Sequence, residues 1–218
     1  MSIKISNFSV GYKIKIATAN ELEITQPSLV ALIGENGSGK STFLKSIAGL
    51  IEPIEGTIKN QSPHSVYLAA GRNFSQNLTV QELLHLAQKD YRAHILEAGE
   101  KNDFTAVLAS FGIADIANKK LAHLSDGQYQ LAALAFCLQK EASLLLLDEP
   151  FSFLDYKNKK IVFNQLKKIV SEHNKTVVFS THDISMLHHV DQVWLVENKE
   201  IKNATTTEIM LLQSKHQI

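Results

Sequence analysis

The stretch SLVALIGENGSGKSTFLKSI, residues 28–47, decides the fold. Leu29–Ile33 is an unbroken apolar run, as expected of a strand covered on both faces. Gly34–Ser41 then fits the pattern G-x-x-x-x-G-K-S. Phe43, Leu44, Ile47 and Leu50 recur at helical spacing. The order is strand, glycine loop, helix. Glycines let successive backbone N–H groups curl around a phosphate, and the following helix adds its positive N-terminus. Lys40 brings a point charge to the β- and γ-phosphates, and the Ser41 hydroxyl is a ligand for Mg²⁺.

Upstream of this stretch, Ile3 and Ile5, Ile14 and Ile16, and Leu22 and Ile24 alternate with polar residues, which predicts strands. Downstream, EPIEGTI (52–58) reads as turn and strand, and SVYLAA (65–70) as a further strand. From about Thr79 to Leu121 the character changes. TVQELLHLAQ opens on a capping threonine, Thr79. EAGEKND (97–103) is a polar break, and FTAVLASFGI (104–113) resumes helical periodicity. The middle third thus reads as a helical lobe inserted in an α/β chain.

Beyond the lobe come the helix QYQLAALAFCLQKE (128–141), the strand SLLLLDEP (143–150) and a helix from about Lys159 to His173. The strand KTVVFS (175–180), a helical ISMLHHV (184–190) and a hairpin QVWLVENKEI (192–201) turning near Asn198 and Lys199 follow. The basic run YKNKK (156–160) reads as a solvated helix start.

With 218 residues, one domain with a sub-lobe is expected. Lysine plus arginine and aspartate plus glutamate each number 22, so zero net charge gives no support for bulk attraction to nucleic acid. Cys137, the one cysteine, cannot form an internal disulfide, and in its apolar run it reads as a small buried hydrophobe in a protein of a reducing compartment. The opening MSIKISNFSV has no apolar core of a signal peptide. No run reaches the roughly 18 apolar residues of a membrane span, so any role at a membrane is expected to be peripheral.

A nucleotide held by such a loop needs a carboxylate at the tip of a neighbouring strand to hold Mg²⁺ through water, and Asp148 is placed for that. Glu149 points elsewhere and can polarise the attacking water as general base. His182 ends the buried strand VVFST, on the ligand edge of an open sheet, where it can donate to the γ-phosphate or to the water. The remaining histidines have no spacing with carboxylates that builds a metal site. LSDGQ (124–128), polar and ahead of an apolar helix, has no local chemistry of its own.

Taken in order, GENGSGKST (34–42), LSDGQ (124–128), LLLLDEP (144–150), SFLD (152–155) and STHD (180–183) resemble the ATP-binding-cassette (ABC) ATPases over nearly the whole chain. The resemblance implies a single domain over 1–218: a P-loop NTPase core of α/β class, an N-terminal antiparallel β subdomain and an α-helical subdomain inserted at about 71–127. It implies that Tyr12 stacks on adenine and that Gly34, Asn36, Gly37, Ser38, Gly39, Lys40, Ser41 and Thr42 hold the phosphates of ATP. Ser41 and Asp148 would serve Mg²⁺, with Lys40, Glu149 and His182 catalytic. Two copies would face each other, so that Ser125, Gly127 and Gln128 of one meet the ATP of the other and Asp155 acts across the dimer.

The implied function is the ATP-hydrolysing subunit of a transporter, peripheral on the cytoplasmic face of the inner or plasma membrane. Its implied partners are permease subunits and, indirectly, a solute-binding protein. LSDGQ, DEPFSFLD, STHDISML and VWLVENKEI look like the importers of iron chelates, haem or cobalamin. The chain stops soon after its last hairpin, so no added regulatory domain is expected.

There are departures from the family pattern. Ala70 stands where a glutamine is usual, with Gln76 out of register, and Leu131 and Phe136 stand where arginines are common. They keep open a nucleotide-gated regulatory protein that hydrolyses little, beside an exporter subunit. A small-molecule kinase would need a lid of arginines and would lack LSDGQ, which resembles the signature loop of the family, and arginines are few, Arg72 and Arg92. Asp126 sets a negative charge near where a phosphate would arrive, so it is expected to face a lysine or arginine outside the phosphate cradle.

Overall fold

The computed structural model describes residues 2–59, 64–92 and 104–210. The predicted polar break at 97–103 lies outside these residues, as do His94 and His216. The described strands are β1 (Ser2–Gly11), β2 (Lys15–Thr25), β3 (Leu29–Gly34), β4 (Glu55–Lys59), β5 (Ser65–Leu68), β6 (Leu144–Leu147), β7 (Thr176–Thr181), β8 (Gln192–Glu197) and β9 (Glu200–Ala204). The helices are α1 (Lys40–Ile47), α2 (Val80–Arg92), α3 (Thr105–Ser110), α4 (Asp126–Gln139) and α5 (Tyr156–His173). The strands form one sheet in the order β4-β1-β2-β9-β8-β3-β7-β6-β5.

Two-residue periodicity explains why the central strands are apolar throughout. Leu29, Ala31 and Ile33 of β3, Leu145 and Leu147 of β6, and Val177 and Phe179 of β7 enter one core, with α4 and α5. Val30 and Leu32, Leu144 and Leu146, and Val178 enter a second core on the opposite face, with Phe43, Leu44 and Ile47 of α1. Each fully buried aliphatic side chain contributes about 1.5–3 kcal/mol. Trp194 of β8 is fully buried in the second core, edge-on to Phe43 at 5.8 Å, and Phe43 is edge-on to Phe8 of β1 at 5.9 Å. These contacts join the antiparallel end of the sheet to the glycine-loop helix.

β8, β3, β7, β6 and β5 run parallel to one another. Their C-terminal ends therefore share one edge of the sheet, where ligands of open α/β sheets bind. The glycine loop, Asp148, His182 and the segment from Ala69 all leave from that edge. At the other end β1 pairs antiparallel with β2 and with β4.

Among the described residues between Ala70 and α4 lie α2, α3 and two short 3₁₀ turns, Ala114–Ile116 and Leu121–His123. Thr79 caps α2 as expected, in a reciprocal box: its hydroxyl accepts from the Glu82 N–H, and the Glu82 carboxylate accepts from the Thr79 N–H. Two local expectations are corrected, and the helical reading of 184–190 is sharpened to a 3₁₀ helix. Ile14 lies in the β1–β2 turn, exposed. α5 begins three residues before Lys159, because the Asp155 carboxylate accepts from the Asn158 N–H at 2.8 Å and caps the helix. Ile184–His189 is a 3₁₀ stretch. Cys137 is buried, and burial pushes its thiol up to about 12.

Candidate functional site

Gly37 and Gly39 take left-handed φ values of 79° and 106°, which only glycine adopts without strain, and Gly39 is the N-cap of α1. A side chain on Gly39 would also sit 2.9 Å from Ile16 Cγ2. The loop so formed opens on a cavity of about 210 Å³. Asn36, Gly37, Gly39, Lys40, Ser41 and Thr42 line it from the loop, Asp148 and Glu149 from the end of β6, and Ile16 from β2. Lys40 is nearly buried, and its Nζ donates to the carbonyls of Gly34 at 2.8 Å and Glu35 at 2.9 Å. Burial lowers the Lys40 ammonium from its usual range, and the Glu149 and Asp148 carboxylates pull it back up.

The two acids are held differently. Asp148 is buried: Oδ1 accepts from the Ser180 hydroxyl at 2.6 Å and Oδ2 from the Tyr67 hydroxyl at 3.2 Å. Burial, and then the Asp148 charge, push the Tyr67 phenol far above its usual value, so Tyr67 remains a donor. Glu149 has φ of 50°, a region that side chains other than glycine enter only when the surroundings hold them there. The holding bond runs from the Glu149 N–H to the Ser180 hydroxyl oxygen at 2.8 Å. Its carboxylate Oε2 lies 3.1 Å from Nδ1 of His182 and 3.4 Å from the Ser152 hydroxyl. His182 is otherwise open to solvent.

Ser180 is therefore the hinge-pin of both acids, and the sequence reading passed over it. Strand parity offered a signal. Ser180 follows Val178 onto the α1 face, as Asp148 follows Leu146. Ser180→Ala would leave a buried carboxylate oxygen without its donor. The expected loss is about 1–3 kcal/mol of folding stability, read as a lower urea midpoint.

The loop after His182 is anchored on α5. Lys159 Nζ lies 2.7 Å from Asp183 Oδ2, while the Ser185 hydroxyl and N–H donate to Oδ1. Burial would raise the Asp183 carboxyl, but Lys159 and Ser185 together hold it at about 2. Stability from a depressed carboxyl is complete above its ordinary value, 3.8, and fades as pH falls toward about 2. Lys159→Met is thus expected to lower the urea midpoint by the same margin at about pH 7 and about pH 5. A margin already smaller at about pH 5 than at about pH 7 contradicts this assignment.

Tyr12, Ser125, Gly127, Gln128 and Asp155 stand away from the cavity lining, and Gly34, Ser38 and His182 border the site without lining the cavity. Ser125 caps α4: its hydroxyl accepts from the Gln128 N–H at 3.2 Å, and Gln128 Oε1 accepts from the Ser125 N–H at 3.2 Å. A side chain on Gly127 would meet the Phe153 carbonyl at 2.9 Å. The LSDGQ loop therefore packs on the turn leading to Asp155, and neither reaches the cavity of its own chain. Tyr12 is exposed in the β1–β2 turn and does not line the cavity, although its hydroxyl adds slightly to the rise at Tyr67. Ile16, not singled out by the sequence, lines it instead.

Packing absorbs the two lost arginines. Leu131 is buried in the first core, and Phe136 stacks edge-on against Phe74 at 4.8 Å with Lys140 Nζ over its ring. Asp126 pairs with Arg72 at 3.1 Å, the cationic partner expected of it. Among the described residues no helix is long and apolar enough to cross a membrane.

Residues 18–152 match the family model described as ABC transporter. The thiamine import ATP-binding protein ThiQ of Haemophilus influenzae is 37% identical over 191 residues, covering 83% of this chain and 88% of the relative. The petrobactin import ATP-binding protein FpuD of Bacillus anthracis is 30% identical over 216 residues, covering 92% and 79%. A solved ATP-binding subunit of an ABC transporter superposes with a TM-score of 0.81 at 24% identity, covering 98% of this chain and 94% of that one, which supports the fold.

Proposed function

The chain belongs to the ABC transporter family as an ATP-binding, ATP-hydrolysing member, and from that premise we propose that it powers an importer, working as a pair of copies on the cytoplasmic face of a membrane beneath separate permease subunits. The observation that carries the hydrolytic part is the Glu149–His182 contact of 3.1 Å at the rim of the glycine-loop cavity.

In this reading Gly34 to Thr42 wrap the phosphates, Lys40 turns from the loop carbonyls to the β- and γ-oxygens, and Tyr12 covers the adenine. Ser41 and Asp148 present a hydroxyl and a carboxylate on the cavity wall, hard oxygen donors that suit Mg²⁺ shared with phosphate. A magnesium ion held by Ser41 and Asp148 would supply positive charge to the phosphates. Glu149 takes a proton from water as the water oxygen bonds to the γ-phosphorus and the bond to the β–γ bridging oxygen breaks. His182 orients Glu149 and donates toward the γ-phosphate. Ser125, Gly127 and Gln128 of the second copy close the site, with its Asp155 beside them, and the insertion at about 71–127 is the helical subdomain that meets the permease.

Both relatives are named as import proteins, which supports import over export. The narrower assignment to iron chelate, haem or cobalamin rests on the motif details given above. The two relatives are named for different solutes, thiamine and petrobactin, so their names do not single one out for this chain. One observation favours a second reading, a regulator that hydrolyses little: exposed Ala70 has no polar side chain to offer the attacking water. The test is co-expression with candidate importer permease subunits from the same genome. The chain is expected to copurify with the permease from membranes and to turn over ATP faster when solute is added. A complex without ATP turnover supports the regulator, and a chain that binds no permease overturns the importer.

A further inference from the structure

Arg72 and Asp126 are 54 positions apart, yet the Arg72 guanidinium spends all three of its nitrogens on the entry to α4. Nε and Nη2 lie 3.2 and 3.1 Å from Asp126 Oδ1. Nη2 also donates to the Leu124 carbonyl at 2.6 Å, and Nη1 donates to the Leu121 carbonyl at 2.9 Å and to Gln76 Oε1 at 3.1 Å. The guanidinium lies over the Tyr129 ring at 4.9 Å. Leu121 lies three residues ahead of LSDGQ, Leu124 is its first residue and Tyr129 follows its last, so one side chain ties down both flanks of LSDGQ.

The charge balance has a sharper consequence. The N-terminus of α4 carries the positive end of the helix dipole, and this end would meet a phosphate. Asp126, in the first turn, is good for the isolated helix but opposes an arriving anion. Arg72 places a fixed cation on that same carboxylate oxygen. The carboxylate is more than half exposed, so the ion pair by itself adds little to folding. Its effect belongs to binding, where an uncompensated like charge is costly.

We propose that Arg72 is a positioning residue for the nucleotide held by a second copy: it orients the LSDGQ loop and neutralises Asp126, so that the loop presents a net positive end to the γ-phosphate. This rests on the two-copy reading above. A residue that only braced the fold would act regardless of Asp126, whereas one that cancels its charge becomes dispensable when the charge is removed.

The experiment uses the full chain with Glu149→Gln to prolong the ATP state, and measures ATP-dependent dimerisation by sedimentation. Arg72→Gln, which keeps a donor and removes the charge, is expected to weaken dimerisation by about tenfold or more. ATP affinity of the separate chain should be unchanged, because Arg72 does not line its cavity. Adding Asp126→Gly to Arg72→Gln is expected to restore most of the loss. Arg72→Gln dimerising like the parent, or the double variant remaining as weak as the single, overturns the inference. If Arg72→Gln does not fold, Arg72→Lys is measured across salt concentrations. A salt dependence steeper than the parent's is expected, and an identical one overturns the inference. A parent chain that never dimerises with ATP overturns the two-copy reading and takes this inference with it.

Discussion

Glu149→Gln is expected to lower ATP turnover by about 10²- to 10⁴-fold, the range a positioned general base contributes, while ATP still binds. The substitution is close to isosteric. It keeps the backbone bond to Ser180, because that bond uses the Glu149 N–H. The side-chain contact to His182 also survives in shape, since an amide oxygen can face Nδ1 as the carboxylate does. What disappears is the capacity to take a proton from water. Single-turnover hydrolysis beside equilibrium ATP binding separates the two effects. Loss of binding together with turnover would mean that Glu149 shapes the cavity and does not act in the chemical step.

Lys40→Met is expected to weaken ATP binding about ten- to a hundredfold, the worth of a charge-assisted hydrogen bond of about 1.5–3 kcal/mol. Turnover should fall further, because charge stabilisation grows toward the transition state. Methionine fills part of the volume of the lysine stem but offers no donor to the Gly34 and Glu35 carbonyls. It also removes the cation that faces Asp148 and Glu149. Nucleotide titration measures the first effect and steady-state hydrolysis the second. Unchanged affinity would place Lys40 on the loop carbonyls in the bound state as well.

The glycine loop was legible in the sequence because its chemistry is local: two left-handed glycines, a lysine and a hydroxyl within one turn of a helix. The double-faced strands were legible for the same reason, since an unbroken apolar run demands cover on both sides. Ser180 was not. Its role depends on β6 and β7 lying side by side, and strand order is a long-range fact. Tyr67 was hidden likewise, reaching Asp148 across the β5–β6 pair. For Asp126 the sequence predicted the kind of partner, because a carboxylate at an anion-facing helix end needs a cation. It could not say that Arg72, in the segment after β5, supplies it. Phe136 reads in the sequence as a missing charge, whereas in the fold its ring packs edge-on against Phe74. In these cases the missing information was who stands next to whom.

The central claim is that two copies of this chain share each ATP they hydrolyse. The most direct measurement is wild-type ATP turnover per chain as protein concentration rises at saturating ATP. A shared site predicts that turnover per chain climbs with concentration and levels off once the chains are paired. Turnover per chain that stays constant from the most dilute sample to the most concentrated, with the chain monomeric throughout, would contradict it.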